Sequence, residues 1–256
     1  MADQTESSRA PRDVPWARSA RARTVRELIL IGVLGPAMDA YTRRQITGRD
    51  QLEGLEGPVL FVANHSSHMD TPAILRALPK RWRRRTAVAA AADYFYRKRR
   101  VAHAVSLLFN TVPMQRNGGG LEPGSAAHLG DLIGEGWNLL VFAEGTRSRD
   151  GVVGRLRSGA AVLAAEHGLR IVPVYVSGTR NAMPPGSRWM SRKHGLISRR
   201  HPIEIRFGAP IRPRPGEHRT EVMERVRLFF AESGASTTAC EGIPAGGDRQ
   251  GAGQPA

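Results

Sequence analysis

The stretch Gly57–Leu78, "GPVLFVANHSSHMDTPAILRAL", decides how the chain is read. Residues 58–63 are apolar, short and preceded by glycine, which reads as a strand. Asp70-Thr71-Pro72 before "AILRAL" is a helix start: a short polar residue at the cap and proline in the first turn. Between strand and helix lies "NHSSHMD", Asn64–Asp70, with two histidines, two serines and an aspartate. His65 therefore falls in a loop at the C-terminal end of a strand. Open α/β sheets bind ligands at that edge.

Outward from this unit the same alternation continues. Strands are expected at 58–63, 86–91, 111–114, 138–143, 171–176 and 203–207. Helices are expected at 71–78, 101–109, 124–135, 157–167 and 217–232. The fold class is α/β: a single domain over 49–232, with a mixed, largely parallel central sheet flanked by helices. Pro173 inside a strand-like run suggests an edge or a bulge. The 256 residues suit one domain with a sizeable core. Residues 1–19 read as a disordered basic N-terminus and 233–256 as a disordered tail.

Residues 20–48 read as a helical segment. It carries Arg21, Arg23 and Arg26, then the apolar run "LILIGVLGPA" (28–37), then Arg43 and Arg44. Pro36 should kink or divide it. The run is shorter than the roughly 20 apolar residues a spanning helix needs. Either the segment packs on its own domain, or it lies in a membrane interface with its arginines at the headgroups.

Lys and Arg total 38 against 23 Asp and Glu, a net charge of +15. Such a balance favours polyanions, anionic membrane surfaces or acidic partners. Two runs concentrate it, "RWRRR" (81–85) and "RKRR" (97–100), the second beside Tyr94, Phe95 and Tyr96. Nucleic acid is one candidate for such patches. Membrane attachment is the preferred reading, with each basic residue near an anionic surface worth about 1 kcal/mol. The single cysteine, Cys240, precludes an internal disulfide and fits a reducing compartment. Residues 1–20 hold no secretory signal.

What can "NHSSHMD" do? On one regular helix, residues five apart point about 140° away from each other. His65 and Asp70 can meet only if the loop curls back. Asp70 would then accept from one ring nitrogen, fix the tautomer and leave the other nitrogen as a base. His65, His68 and Asp70 could instead gather a metal, but catalytic metal sites usually take ligands from several segments, and no second histidine pair of recognisable spacing exists. Ser66, Ser67 and Ser148 lack the G-x-S-x-G surroundings of a hydrolase nucleophile.

Three further stretches hold polar residues after apolar runs. "LLVFAEGTRSRDG" (139–151) offers Glu144, Gly145, Thr146, Arg147 and Ser148; the Arg147 fork suits phosphate. "NTVPMQRNGGG" (110–120) places Arg116 before three glycines. In the fourth, Arg157 and Gly159 open a helix whose N-terminus favours anions.

Together and in this order the four stretches resemble the glycerolipid acyltransferase family, which includes 1-acylglycerol-3-phosphate acyltransferases. Asn64–Asp70 matches its N-H-x-S-x-x-D block. "FAEGTRS" matches F-P-E-G-T-R-S except that Ala143 stands for the proline. Arg116 fits the arginine of the second block, in which Asn110 replaces the usual glycine and Gln115 an acidic residue. Val172-Pro173-Val174 matches the last block. The likeness spans roughly residues 50–215.

The resemblance implies acyl transfer without a covalent enzyme intermediate and without a cofactor or metal. His65 would be the general base and Asp70 its orienting acid. Arg116, Glu144, Gly145, Thr146, Arg147 and, where the family often has lysine, Arg157 would shape the acceptor site. Glu144 would hold an arginine or position the acceptor. The donor would be acyl-CoA or acyl carrier protein, and the acceptor a lysophospholipid. Relatives with the same blocks acylate other lysophospholipids or glycolipids. The expected setting is the cytoplasmic face of a membrane, peripheral or monotopic, with an anionic surface as partner and no nucleic acid.

Overall fold

The computed structural model describes residues 13–91, 99–114, 116–117, 120–121, 123–148, 150–187, 189–192 and 199–237. Its strands are β1 (Thr42–Thr47), β2 (Val59–Ala63), β3 (Thr86–Ala91), β4 (Thr111–Met114), β5 (Arg116–Asn117), β6 (Gly120–Leu121), β7 (Asn138–Phe142), β8 (Arg170–Ser177) and β9 (His201–Phe207). The α-helices are α1 (Ala20–Glu27), α2 (Gly35–Tyr41), α3 (Asp70–Ala77), α4 (Lys80–Arg83), α5 (Arg99–Phe109), α6 (Pro123–Gly134), α7 (Gly159–Glu166), α8 (Thr179–Ala182) and α9 (Arg219–Glu232).

Seven strands form one sheet in the order β1-β9-β8-β2-β7-β3-β4. From β8 to β4 neighbours run parallel, β8 and β9 are antiparallel, and β9 and β1 are parallel again. Strand side chains alternate between faces. Leu60, Val62, Leu139 and Val141 thus enter one core, under α6, α7 and α9. Phe61, Ala63, Leu140 and Val172 enter the other, with α3 and the N-terminal helices. Burial on both faces is why these strands read as unbroken apolar runs.

Four expectations are corrected. Residues 42–47 are a strand, not the end of a helical segment. Exposed positions alternate with the buried Thr42 and the half-buried Arg44 and Ile46, and each residue pairs with β9, from Thr42–His201 to Thr47–Arg206. For Pro173 the edge alternative is corrected, for β8 lies between β9 and β2, while the bulge alternative stands: the register slips by one residue between Val174–Phe207 and Ile171–Ile211. The Pro173 carbonyl accepts from Gly208 N (2.8 Å), so its nitrogen faces the same side, where β9 has ended and no ladder donor is needed. Pro36 does not divide the segment: helical angles persist through Leu34 and Gly35, from the π-helical stretch Leu28–Leu34 into α2. It falls in the first turn of α2, where a missing N–H is tolerated.

The fourth correction concerns the termini and the arginines. Residues 13–19, expected within a disordered arm, hold a 3-10 turn at Pro15–Arg18, with Ala17 buried and Arg18 paired to Asp13. For Arg26 the packing alternative holds and the headgroup alternative does not: it is 6% exposed. Its guanidinium donates to Leu107 O (2.7 Å), Ala17 O (2.6 Å) and Ser106 O (3.0 Å), joining α1 to the last turn of α5. There a cation also meets the negative end of the helix dipole. Residues 233–237 dock too: Ser236 O accepts from Val153 N (2.8 Å), and Thr237 bridges to Val153. Residues 1–12, 92–98 and 238–256, with Tyr94, Phe95, Tyr96 and Cys240, lie outside the described residues.

Candidate active site

Three neighbouring parallel strands build the site. Ala63 of β2 pairs with Phe142 of β7 on one side and with Val174 of β8 on the other. The residues that follow each strand therefore meet at one sheet edge: His65, Glu144 and Thr179. Asn64 extends the sheet by one step with its side chain. Its amide donates to Val176 O (2.9 Å) and its Oδ1 accepts from Val176 N (2.8 Å), as a backbone would.

The loop then curls back on itself. Asp70 is fully buried, and its Oδ2 accepts from Ser66 N (2.7 Å) and Ser67 N (2.8 Å). The same oxygen lies 2.8 Å from His65 Nδ1. Two backbone donors already aimed at that oxygen identify it as an acceptor, so Nδ1 carries the proton. Among the described residues, Nε2 of His65 has no hydrogen-bond partner. The ring is 16% exposed and stacks on Phe142, with centroids 3.9 Å apart and planes at 19°. Tautomer and ring plane are thus both fixed.

Thr179 completes the cage, and nothing in the local sequence marked it. Its hydroxyl donates to Asp70 Oδ1 (2.5 Å), and Ser66 Oγ lies 3.3 Å from it. Gly178 makes this approach: its φ is 79°, and a Cβ there would sit 2.0 Å from Pro202 O. Ser67 Oγ donates to Met183 O (2.8 Å). Both loop serines thus bond away from the histidine, as supports of the loop.

Glu144 holds no arginine through its carboxylate among the described residues. It is 7% exposed, and its two oxygens accept from His65 N and Gly154 N, each at 2.9 Å. Burial raises its pKa above the ordinary glutamate value, with the two backbone bonds opposing. It is a staple between two loops. Gly145, at φ 73°, then turns the chain. Ser148 N returns to His65 O (2.8 Å), and Arg157 Nε reaches Glu144 O (3.2 Å). Arg157 precedes α7 rather than opening it.

Arg147 is half-buried and Thr146 exposed. Burial, then the charges of Arg147 and His65, hold His68 below the ordinary histidine value. That places the Arg147 charge beside the loop. Arg180 adds a further guanidinium, donating to Ser148 O (3.3 Å). Arg116 is on β5, and its side chain lies outside what the structure describes. Asn110, in the glycine position of the second block, has φ 53°, the left-handed conformation asparagine tolerates. No group of three His, Cys, Asp or Glu among the described residues could hold a metal ion.

Residues 43–177 match the family described as Acyltransferase. The chain is 29% identical over 159 residues to 1-acyl-sn-glycerol-3-phosphate acyltransferase LPAT1, chloroplastic, of Arabidopsis thaliana, covering 61% of this chain and 42% of the relative. It is 28% identical over 149 residues to the Brassica napus protein BAT2, which bears the same description, covering 57% and 41%. The chain thus spans about two fifths of the length of these curated relatives. The crystal structure of the 1-acyl-sn-glycerophosphate (LPA) acyltransferase PlsC from Thermotoga maritima shares the fold, with a TM-score of 0.56 and 21% identity, covering 86% of this chain and 83% of that one.

Proposed function

The chain belongs to the acyltransferase family, and from that premise we propose that it moves a fatty acyl group from an acyl thioester to the free hydroxyl of 1-acylglycerol-3-phosphate, giving phosphatidic acid. One observation carries the reading: a buried carboxylate holds His65 Nδ1 and leaves Nε2 as the base. The relatives' names supply the acceptor.

The chemistry asks for little else. A thioester is already activated, so a base, an aligned acceptor and support for the developing oxyanion suffice. Nε2 takes the proton of the acceptor hydroxyl as its oxygen attacks the thioester carbonyl. Asp70 stabilises the imidazolium that forms. The tetrahedral intermediate collapses, the C–S bond breaks, and the leaving thiolate takes the proton back from Nε2. Arg147, with Arg116 and Arg157, supplies positive charge for the acceptor phosphate. Gly145 and Thr146 shape the turn that presents it.

The donor is acyl-CoA or acyl carrier protein, and the setting a cytoplasmic membrane face. Among the described residues no helix is long and apolar enough to cross a membrane. The N-terminal helix nonetheless exposes Val25, Leu28, Ile31 and Val33, which suits peripheral attachment to an anionic surface. The test is transfer from labelled palmitoyl- or oleoyl-CoA to 1-acylglycerol-3-phosphate in mixed micelles, wild type against His65→Ala. Labelled phosphatidic acid should fall by about 10²–10⁴ in the variant. Undiminished transfer would refute the base; transfer only from acyl carrier protein would assign the donor.

A further inference from the structure

The run Arg81–Arg85 has no part in the site above. Arg85 directly precedes β3, and the run sits at the N-terminal ends of the strands, whereas His65 follows a C-terminal end. The length of β2 separates the two edges, about 17 Å at 3.3 Å per residue. An open cleft of about 260 Å³ lies at that far edge, lined by Pro58, Arg81, Trp82, Arg85 and Asn138 among others.

Within the run the arginines divide by partner. Arg83 is ion-paired with Glu27 and donates to Leu78 O (2.8 Å), so it anchors α1. Arg81, Arg84 and Arg85 make no ion pair with a carboxylate among the described residues; Arg81 donates to Leu52 O (2.6 Å) and Arg85 to Glu135 O (3.2 Å), and Arg84 stands near enough to Glu27 to help lower its pKa. Arg81 lies over Trp82 (5.0 Å). Arg85 and Arg23 both lie over Trp137, at 5.5 and 5.8 Å from the ring centre. Arg84 touches Thr24 Oγ1 at 3.4 Å. Arg23 Nε is buried without a hydrogen-bond partner among the described residues. Burial, then the charges of Arg85 and Arg84, lower the Arg23 pKa, which shows that these cations crowd one another. Such an arrangement is completed by an anion.

The neighbouring helix surface says which anion. Thr24 and Leu28 lie four apart on one face at the end of α1, and the π-helical turn that follows carries Ile31 and Val33. Leu28 is 66% exposed and Ile31 41%, with Val25 and Val33 exposed beside them. Guanidiniums without a carboxylate partner beside exposed apolar side chains match a lipid interface, with phosphates level with the arginines and hydrocarbon beyond. We propose that Arg23, Arg84 and Arg85 form a binding site for the headgroup phosphate of anionic phospholipid, separate from the acceptor site. It rests on the membrane attachment proposed above, but its test does not pass through acyl transfer.

The experiment measures binding of the full chain to vesicles of phosphatidylcholine with phosphatidylglycerol, and to phosphatidylcholine alone. Arg84→Gln with Arg85→Gln should weaken binding to the anionic vesicles about thirtyfold, two charges at about 1 kcal/mol each. Arg84→Lys with Arg85→Lys should retain most of it. Arg212→Gln with Arg214→Gln, the same charge change beyond Ile211 of the other core layer, should leave most of it too. Arg84→Gln alone, at a half-buried residue with one long hydrogen bond, guards against a folding artefact and should show a smaller loss of the same kind. Wild type that ignores anionic vesicles, or binds duplex DNA at physiological salt instead, overturns the attachment and the site together. Wild type that binds with the Arg84/Arg85 variant unchanged, or no weaker than the Arg212/Arg214 variant, overturns the site alone.

Discussion

Asp70→Asn tests the candidate site most directly, because the amide has the shape of the carboxylate it replaces. Its oxygen, placed where Oδ2 lies, still accepts from Ser66 N, Ser67 N and His65 Nδ1. Its NH₂, placed where Oδ1 lies, faces Thr179 Oγ1, which can reverse its role and accept. The loop therefore has a way to keep its shape, and the main loss is the negative charge. When Nε2 takes a proton, the imidazolium no longer faces a carboxylate. Unit charges about 4 Å apart interact by about 4 kcal/mol at an effective dielectric of about 20. That corresponds to a fall of about 10³ in kcat. Thiol release from a long-chain acyl thioester, with acceptor in mixed micelles, gives kcat and KM; thermal melting reports the fold. KM for the acceptor should hold while kcat falls. His65→Ala with Asp70→Asn should lose no more than His65→Ala alone, since an orienting acid has nothing left to orient. A folded Asp70→Asn keeping more than about a tenth of the wild-type kcat would refute the pairing, as would losses that multiply in the double variant.

Two more predictions concern groups that hold the architecture. Arg26→Met leaves three buried carbonyls without their cationic donor, and should destabilise by about 3 kcal/mol, or about 6–12 °C in Tm at this size. A change within about 0.5 kcal/mol, as at an ordinary surface position, would show that the clamp does not act. Glu144→Gln should change the pH dependence of stability. The folded pKa of Glu144 lies above 4.5, so the folded state binds that proton more tightly than the unfolded chain. The resulting stability is fully present below pH 4.5 and lost as pH rises through the raised value. Glutamine has no such titration, although its single oxygen serves two donors less well at every pH. The Tm advantage of wild type should therefore shrink as pH rises across this window. An advantage that stays constant from pH 4 to 7 would refute the assignment.

The parallel strands were legible because burial on both faces leaves a run such as Val59–Ala63 with no polar interruption. His65 and Asp70 were legible through the match of Asn64–Asp70 to the N-H-x-S-x-x-D block, since their five-residue spacing alone would point them apart on a regular helix. Thr42–Thr47 was not, since Ile46 is the one aliphatic residue in "TRRQIT" and a basic helical segment leads straight into it. Arg26 shows the same limit from the other side. A basic residue beside an apolar run looks like a headgroup contact until α5 brings the carbonyls of Ser106 and Leu107 to it. Glu144 and Thr179 carry the point furthest. One reaches His65 across 79 residues and the other reaches Asp70 across 109. The spacing within β7 or β8 gives no hint of either contact. Both follow from one fact of topology: β2 lies between β7 and β8, all three run the same way, and their final residues must converge. Given that strand order, the first polar residues after β7 and β8 become the expected supports of whatever follows β2. The sheet therefore identifies Thr179, which its own segment could not.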